Sequence, residues 1–249
     1  MRRSHNGFLS QFPAWLSRSL AWLGGHELGF LLLLCAVAGG VLAFAGLASD
    51  VEHGGTSRFD RSILLSMRRP GDLLPRGSRA FQEAARDITA LGGISVLGLV
   101  TAIAAGFLAL DGKRHMALFA VGSVVGGMIA SSLLKDFFQR PRPEIVPHVV
   151  YAANSSFPSG HSMMSAVTYL TLGVLLARSQ EGKRLKAYFL LVATLLTCAV
   201  GVTRVYLGVH WPTDVLAGWM AGAIWAMLCW LIAGLLQKRK ALEQDSEHS

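Results

Sequence analysis

The sequence predicts an all-α membrane protein, a six-transmembrane-helix bundle with a polar site at one membrane surface, and three observations support this. Hydrophobic residues make up 52% of the 249 residues and charged residues only 15%, against roughly 25% charged residues in an ordinary soluble domain. Six apolar runs approach or exceed the ~18 residues that read as a membrane-spanning helix. No linker-like or low-complexity stretch divides the chain, so we expect one domain.

The six apolar runs are expected to be helices, because a segment in hydrocarbon must satisfy its own backbone hydrogen bonds. The fourth run is the shortest, and its start extends back to Ser159. The runs cover residues 28–48, 88–110, 115–134, 162–177, 187–202 and 215–236.

The segments around these runs are predicted to lie outside the bilayer core. Residues 1–27 are expected to form a cytoplasmic N-terminal segment, either an interfacial helix or a polar tail with scattered aromatic residues. Residues 28–236 form the six-span domain, and residues 237–249 a polar cytoplasmic tail that we expect to be disordered. Residues 49–87 are read as a long outside loop. Four of its apolar side chains are expected to rest on the membrane surface: Ile63, Leu64, Leu65 and Met67.

The predicted orientation places both termini in the cytoplasm, since an even number of spans returns the chain to its starting side. The short loops at 111–114 and 178–186 carry lysine and arginine, as cytoplasmic loops usually do. The other end of the bundle then faces the cell exterior or periplasm.

The charge and cysteine content argue against a nucleic-acid-binding protein, a disulfide framework and a zinc site. The net charge is +8, but the basic residues are scattered between apolar runs and form no continuous face for nucleic acid. Part of this charge is expected to meet anionic lipid headgroups. Cys35, Cys198 and Cys229 all lie inside apolar runs, and an odd number at these spacings fits neither a disulfide framework nor a zinc site.

Small residues at four-residue spacing predict close helix contacts in two of the runs. Gly122 and Gly126 form such a pair in the third run, and Gly218 and Gly222 in the sixth.

Three motifs at the ends of the apolar runs carry the chemistry. They are Lys135-x6-Arg142-Pro143, then Pro158-Ser159-Gly160-His161, and then Arg204-x5-His210-x3-Asp214. With six spans, all three fall on the outer face, whereas unrelated polar residues would be divided between both faces. We therefore expect one site made of three cations, two imidazoles and a carboxylate.

The cations suit a phosphoryl group. Arg142 and Arg204 offer planar forks that match phosphate geometry, and Lys135 supplies a point charge. Any one of them alone would also fit the positive rim of a membrane span, but three on one face favour an anion site.

The start of the fourth span provides a second kind of anion contact. Ser159 is predicted to cap this helix, and Gly160 allows backbone to approach a ligand closely. The unpaired N–H groups and the positive end of the helix dipole favour a bound anion.

His210 and Asp214 lie at the entry to the sixth span. Pro212 suits the first helical turn, so Asp214 is expected in the first or second turn. A carboxylate there can bond one imidazole nitrogen and leave the other unprotonated and nucleophilic.

These motifs resemble the signatures of the type 2 phosphatidic acid phosphatase superfamily, which also includes the vanadium-dependent haloperoxidases. The first two signatures match in full, and in the third Thr203 stands where the family usually has serine. The resemblance implies that His210 is the nucleophile, that Asp214 orients it and that His161 protonates the leaving oxygen. It also implies that Lys135, Arg142, Arg204 and the N–H groups of Ser159 and Gly160 hold the phosphate, with no metal and no other cofactor.

The expected function is therefore an integral membrane lipid phosphatase that works through a phosphohistidine. Its partners would be the bilayer and a lipid phosphate, with no nucleic acid. The candidate substrates are undecaprenyl diphosphate, phosphatidylglycerophosphate, phosphatidic acid and lipid A phosphates, and the expected location is a bacterial inner or cell membrane. A lipid phosphotransferase and a non-catalytic lipid-binding or transport protein remain alternatives, and the oligomeric state stays open.

Overall fold

The structure is a computed structural model that describes residues 27–150 and 155–247. All regular elements in these residues are helical, as predicted. We number the helices in chain order: α1 Glu27–Glu52, α2 Ser57–Ser66, α3 Arg79–Ala90, α4 Ile94–Leu110, α5 Arg114–Phe138, α6 Gly160–Ser165, α7 Thr171–Arg178, α8 Lys183–Tyr206 and α9 Pro212–Glu247. A π-helical turn, Ala166–Leu170, joins α6 to α7.

In the described part of the chain, five segments are long and apolar enough to cross a membrane. They are α1, α5, the α6–α7 segment, α8 and the first 24 residues of α9. The predicted second span is different, because α3 and α4 are bent by 51° at a short break and together make the sixth candidate. The prediction of one continuous helix over 88–110 was therefore wrong, although the predicted region is helical on both sides of the break.

The region predicted as a long outside loop contains two helices, α2 and α3. Leu64 on α2 is fully buried and packs with Val146, Val205 and Val215, so it does not rest on the membrane surface as expected. Ile63, Leu65 and Met67 pack against the same cluster. The apolar side chains of residues 63–67 therefore pack α2 against the bundle next to the predicted site.

The last helix is longer than the sequence suggested. The sixth apolar run was expected to end at 236, but α9 continues to Glu247, because the polar residues that follow Leu236 are mostly good helix formers. Residues 1–26, on which the predicted interfacial helix falls, lie outside the described residues.

The fourth span lies at the centre of the bundle, with most of its residues buried. Added Cβ atoms at Gly218 and Gly222 of α9 would lie 2.6 Å from Ser159 O and 2.5 Å from Met163 O. The predicted close contact at this glycine pair is thus confirmed, and it brings the N-terminal ends of α6 and α9 together. In the other pair Gly126 lies against Trp225, whereas Gly122 has no neighbour within 4 Å.

Candidate active site

The three motifs converge at one end of the bundle. Lys135 lies in the last turn of α5, Arg204 in the last turn of α8, and Asp214 in the first turn of α9. Helices α5 and α8 end where α6 and α9 begin, since each neighbouring pair runs antiparallel. The position of Asp214 in the first turn confirms the prediction made from Pro212.

His210 is the buried centre of this group, with 1% of its surface exposed. Its Nε2 lies 3.1 Å from Nη1 of Arg142, and its Nδ1 lies 3.5 Å from Oδ2 of Asp214. Because a guanidinium can only donate, Nε2 must be the accepting nitrogen and the ring proton must be on Nδ1. The ring therefore turns a lone pair toward the cations and its N–H toward the carboxylate.

Ser156 reinforces this orientation of the ring. Its hydroxyl donates a short hydrogen bond to Oδ2 of Asp214 and lies 3.3 Å from Nδ1 of His210. A hydroxyl that gives its proton to Asp214 can accept the proton of Nδ1. Two routes, one direct and one through Ser156, thus connect the imidazole to Asp214.

Asp214 has no exposed surface, and both of its oxygens are hydrogen-bonded. Oδ2 also accepts the N–H of Trp211 at 2.8 Å, while Oδ1 accepts Nη1 of Arg140 at 2.5 Å. A carboxylate removed from water needs such partners to stay ionised.

The three predicted cations gather beside His210. Lys135 is close enough to Arg142 and Arg204 for their charges to interact, and His161 interacts electrostatically with all three cations and with His210. Nη1 of the buried Arg204 donates to Thr89 at 3.2 Å, while its Nε has no protein partner. Such crowding of like charges is unfavourable without an anion, so the cluster is suited to bind one.

The start of α6 differs from the expectation for Ser159. Its side chain makes no capping bond to the helix, and instead accepts a hydrogen bond from Ser162 Oγ at 3.0 Å. Its N–H donates to the main-chain oxygen of Asp214 at 2.9 Å, so this amide is engaged and does not point to a phosphate. Ser159 therefore joins the starts of α6 and α9, and the first-turn amides of Gly160 and His161 remain as anion donors because a helix leaves them unpaired.

The bend between α3 and α4 lies against His161. A Cβ on Gly92 would be 3.2 Å from the His161 main-chain oxygen and 2.4 Å from Val200, so only glycine lets the break come this close. The Leu91 carbonyl at the break accepts the hydroxyl of Tyr169 at 2.7 Å. The bend thus closes one side of the site.

Sequence reasoning missed four polar residues of this region: Asp60, Thr89, Arg140 and Ser156. Arg140 was recognisable only as a second Arg-Pro pair just before Arg142, and Ser156 as a hydroxyl two residues before Pro158. Asp60 lies on α2, in the segment that was read as a loop, and Thr89 lies near the end of α3. No local sequence pattern connected either residue to the motifs.

Burial sets the charge state of His210. It lowers the pKa of this imidazole to about 4, with Asp214 acting in the opposite direction and the charges of Arg204 and Arg142 adding to the decrease. His210 is therefore neutral at pH 7, with the Nε2 lone pair available. Burial also lowers the pKa of Arg142, but arginine stays charged at any pH of interest.

Comparisons with known proteins agree with the fold and the motifs. The family model of the PAP2 superfamily matches residues 116–238. Phosphatidylglycerophosphatase B of Bacillus subtilis is 33% identical over 169 residues, which cover 65% of this chain and 78% of that protein. A lipid A 1-phosphatase of Rhizobium johnstonii is 31% identical over 129 residues, 46% of this chain and 48% of that protein.

A solved structure supports the same assignment. The crystal structure of a transmembrane PAP2-type phosphatidylglycerolphosphate phosphatase from Bacillus subtilis superposes with a TM-score of 0.70 at 27% identity. The match covers 81% of this chain and 96% of that one. The resemblance seen in the three motifs is thereby confirmed, and the chain belongs to the PAP2 superfamily.

Proposed function

We propose that this chain is an integral membrane phosphatase that transfers the phosphoryl group of a lipid phosphate to His210 and then to water, without a metal ion. As a PAP2 member with phosphatase relatives, it is a phosphoric ester hydrolase that acts on lipids. The observation that carries the proposal is the polarised ring of His210, with a lone pair on Nε2 facing the cations and Nδ1 facing Asp214.

In the first step Nε2 of His210 attacks phosphorus, and the bond from phosphorus to the lipid oxygen breaks. Lys135, Arg142 and Arg204 hold the non-bridging oxygens, whose charge these cations stabilise in the transition state. Asp214 stabilises the positive charge that develops on the ring. His161 gives its proton to the leaving oxygen, and the phosphate that binds beside it favours the protonated imidazole.

In the second step a water molecule attacks the phosphorus of the phosphohistidine. His161, now neutral, accepts the proton of this water as general base. The bond from phosphorus to Nε2 breaks, inorganic phosphate leaves, and His210 recovers its lone pair.

The substrate is proposed to be a lipid whose tail stays in the bilayer, because the site lies at the ends of the membrane-spanning helices. A glycerophospholipid carrying a phosphomonoester is our first candidate, since the relative with 33% identity is named for phosphatidylglycerophosphate. Undecaprenyl diphosphate, phosphatidic acid and lipid A phosphates are the other members of the panel to be tested.

The deciding experiment compares wild-type protein and His210→Ala on that lipid panel in detergent, with and without a chelator. We expect phosphate release by wild type in the presence of chelator and none by His210→Ala, with both proteins eluting alike in size-exclusion chromatography. His53→Ala is the matched control, because His53 is an exposed histidine at the same end of the bundle. Substantial release by His210→Ala would refute the role of His210, and transfer of phosphate to a second lipid would indicate a phosphotransferase.

The active site is proposed to face the cell exterior or the periplasm of a bacterial membrane. The test is labelling of Glu144→Cys, an exposed position beside Arg142, with a maleimide that cannot cross membranes. Labelling in intact cells or spheroplasts is expected, whereas labelling only after lysis would contradict the orientation. Wild-type protein, whose three cysteines lie in the spans, controls for background.

A further inference from the structure

Asp214 forms an ion pair with Arg140 on the side away from the neutral ring of His210. Arg140 donates from Nη1 to Oδ1 of Asp214 at 2.5 Å and from Nη2 to Oδ2 of Asp60 at 2.8 Å. Its Nη1 also lies 2.9 Å from the hydroxyl of Thr213, and its guanidinium carbon lies 5.6 Å from the ring centroid of Trp211. One guanidinium therefore bridges two buried carboxylates.

Asp60 is itself fixed by the first turn of α9. It has no exposed surface, and it accepts the N–H of Thr213 at 2.9 Å and the Thr213 hydroxyl at 2.7 Å. A carboxylate from α2 thus serves as an N-terminal partner of α9, where negative charge is favoured. This contact fixes the position of α2 and of the Asp60 carboxylate relative to the first turn of α9, which carries Asp214.

The two oxygens of Asp214 consequently have different partners. Oδ2 faces the ring of His210, Ser156 and the N–H of Trp211, whereas Oδ1 faces Arg140. If Oδ1 lost its partner, the carboxylate would be buried with half of its acceptors unpaired, and it would turn or take up a proton. Turning would move the carboxylate away from Nδ1 of His210, and protonation would neutralise it, so either change would weaken the stabilisation that His210 needs when it is phosphorylated.

We propose that Arg140, held by Asp60, is a positioning residue that fixes Asp214 in the orientation and charge state required by His210. This inference rests on the proposed role of His210. Arg140 itself is not expected to touch the phosphoryl group, because its guanidinium is occupied by the two carboxylates. The role therefore concerns the rate of phosphoryl transfer and not the affinity for substrate.

The site offers a direct way to separate this role from a general role in folding. The Arg140 side chain is 15% exposed and lines a cavity of about 460 Å³ between α1, α2 and the 139–141 segment. In Arg140→Ala the space of the guanidinium would open into this cavity, between two carboxylates. Free guanidinium ion can then enter and replace the missing group.

The experiment measures kcat and KM of Arg140→Ala and Arg140→Lys on a lipid phosphate that wild type hydrolyses. We expect kcat to fall about 10- to 100-fold in Arg140→Ala, as is found when the hydrogen-bond partner that orients a metal ligand is removed, with KM nearly unchanged. Guanidinium chloride at millimolar, non-denaturing concentration should restore much of the rate, while urea at equal concentration should not. Arg140→Lys should lose less than Arg140→Ala, because lysine keeps the charge.

Asp60 provides the second arm of the test. Adding Asp60→Asn to Arg140→Ala removes one of the two carboxylates, so rescue should require a higher guanidinium concentration. Arg61→Ala is the matched control, because Arg61 lines the same cavity but is exposed. It should keep wild-type activity and show no response to guanidinium.

The pH dependence of kcat/KM provides a further test, because a loss of Arg140 that only destabilised the fold would not shift the acid limb. The charged or titratable groups around His210 are Asp214, Arg142, Arg204 and His161. Without Arg140 the turned or protonated Asp214 no longer raises the pKa of His210, so the acid limb of kcat/KM should move to lower pH and return when guanidinium is added.

Wild-type kcat in Arg140→Ala, or a loss that guanidinium does not reduce in either background, would overturn the inference. If Arg140→Ala does not fold, a wild-type kcat in Arg140→Lys with an unchanged acid limb would overturn it equally. These results leave the proposed function intact as long as His210→Ala is inactive and wild type releases phosphate. An active His210→Ala would instead refute the proposed function itself.

Discussion

Nη1 of Arg142 lies 3.1 Å from Nε2 of His210, on the edge of the ring opposite Asp214. Nη1 of Arg142 also donates to the main-chain oxygen of Val209 at 2.6 Å, so the residue that precedes His210 holds this guanidinium in place. A phosphoryl group that reaches Nε2 must therefore arrive beside Arg142. Substrate capture and attack on phosphorus thus involve neighbouring atoms.

The pH dependence of the reaction should show the neutral state of His210. Protonation of Nε2 removes the lone pair that attacks phosphorus, and burial lowers the pKa of His210 to about 4. We expect the acid limb of kcat/KM to lie near pH 4, well below the ~6.5 of ordinary histidine, after correction for the second ionisation of the substrate phosphate near 6. Rate measurements from about pH 3 to 8 test this, and an acid limb at or above 6.5 would contradict it.

His161→Ala should distinguish between leaving groups. With an alkoxide leaving group the general acid contributes about 10²–10⁴-fold, so hydrolysis of a lipid phosphomonoester should fall by that factor. With a diphosphate lipid the leaving group is the lipid monophosphate, which needs no added proton. Hydrolysis of that substrate should therefore fall much less. Parallel assays on both substrates check this, and equal losses would argue against a proton donated by His161.

Thr89→Val should weaken phosphate binding by Arg204, because it removes a hydrogen-bond partner of that arginine. Valine has nearly the same shape as threonine. The variant removes the hydroxyl that accepts Nη1 of Arg204 at 3.2 Å, and a charged donor left without its partner costs about 1–3 kcal/mol. We expect kcat/KM to fall roughly tenfold, or about 1.4 kcal/mol. Thr89→Ser keeps the hydroxyl and should remain near wild type, so equal activity of the two variants would show that the contact is unimportant.

Gly218→Ala should lower both stability and activity. The added Cβ would lie 2.6 Å from Ser159 O and 2.9 Å from Ser162 Cβ, and such overpacking costs typically about 1–3 kcal/mol. Because the displaced segment carries Gly160 and His161, a reduced kcat should accompany a lower Tm in detergent. Gly122→Ala is the control, since nothing lies within 4 Å of its added Cβ. A Gly218→Ala protein as stable and active as this control would contradict the prediction.

The local sequence predicted the helices whose length is set by hydrophobicity. Each of the six apolar runs corresponds to helical structure, because backbone in hydrocarbon has few other ways to satisfy its hydrogen bonds. The break at Leu91–Gly93 was not predicted, since it depends on contacts with His161 and Val200, which are distant in the chain. The burial of Leu64 escaped prediction for the same reason, because an apolar side chain in a polar segment can face lipid or protein equally well.

The sequence by itself determined the membrane-spanning character of this protein and the chemical inventory of its site, because hydrophobic length and the spacing of charged residues at helix ends are local properties. Only the tertiary structure decided how the ring of His210 is turned, that the Ser159 amide is engaged, and that Asp60, Thr89, Arg140 and Ser156 support the motif residues. These are contacts between residues up to 153 positions apart. They arise from the packing of α6 and α9 and from the anchoring of α2, which no single segment of the chain encodes.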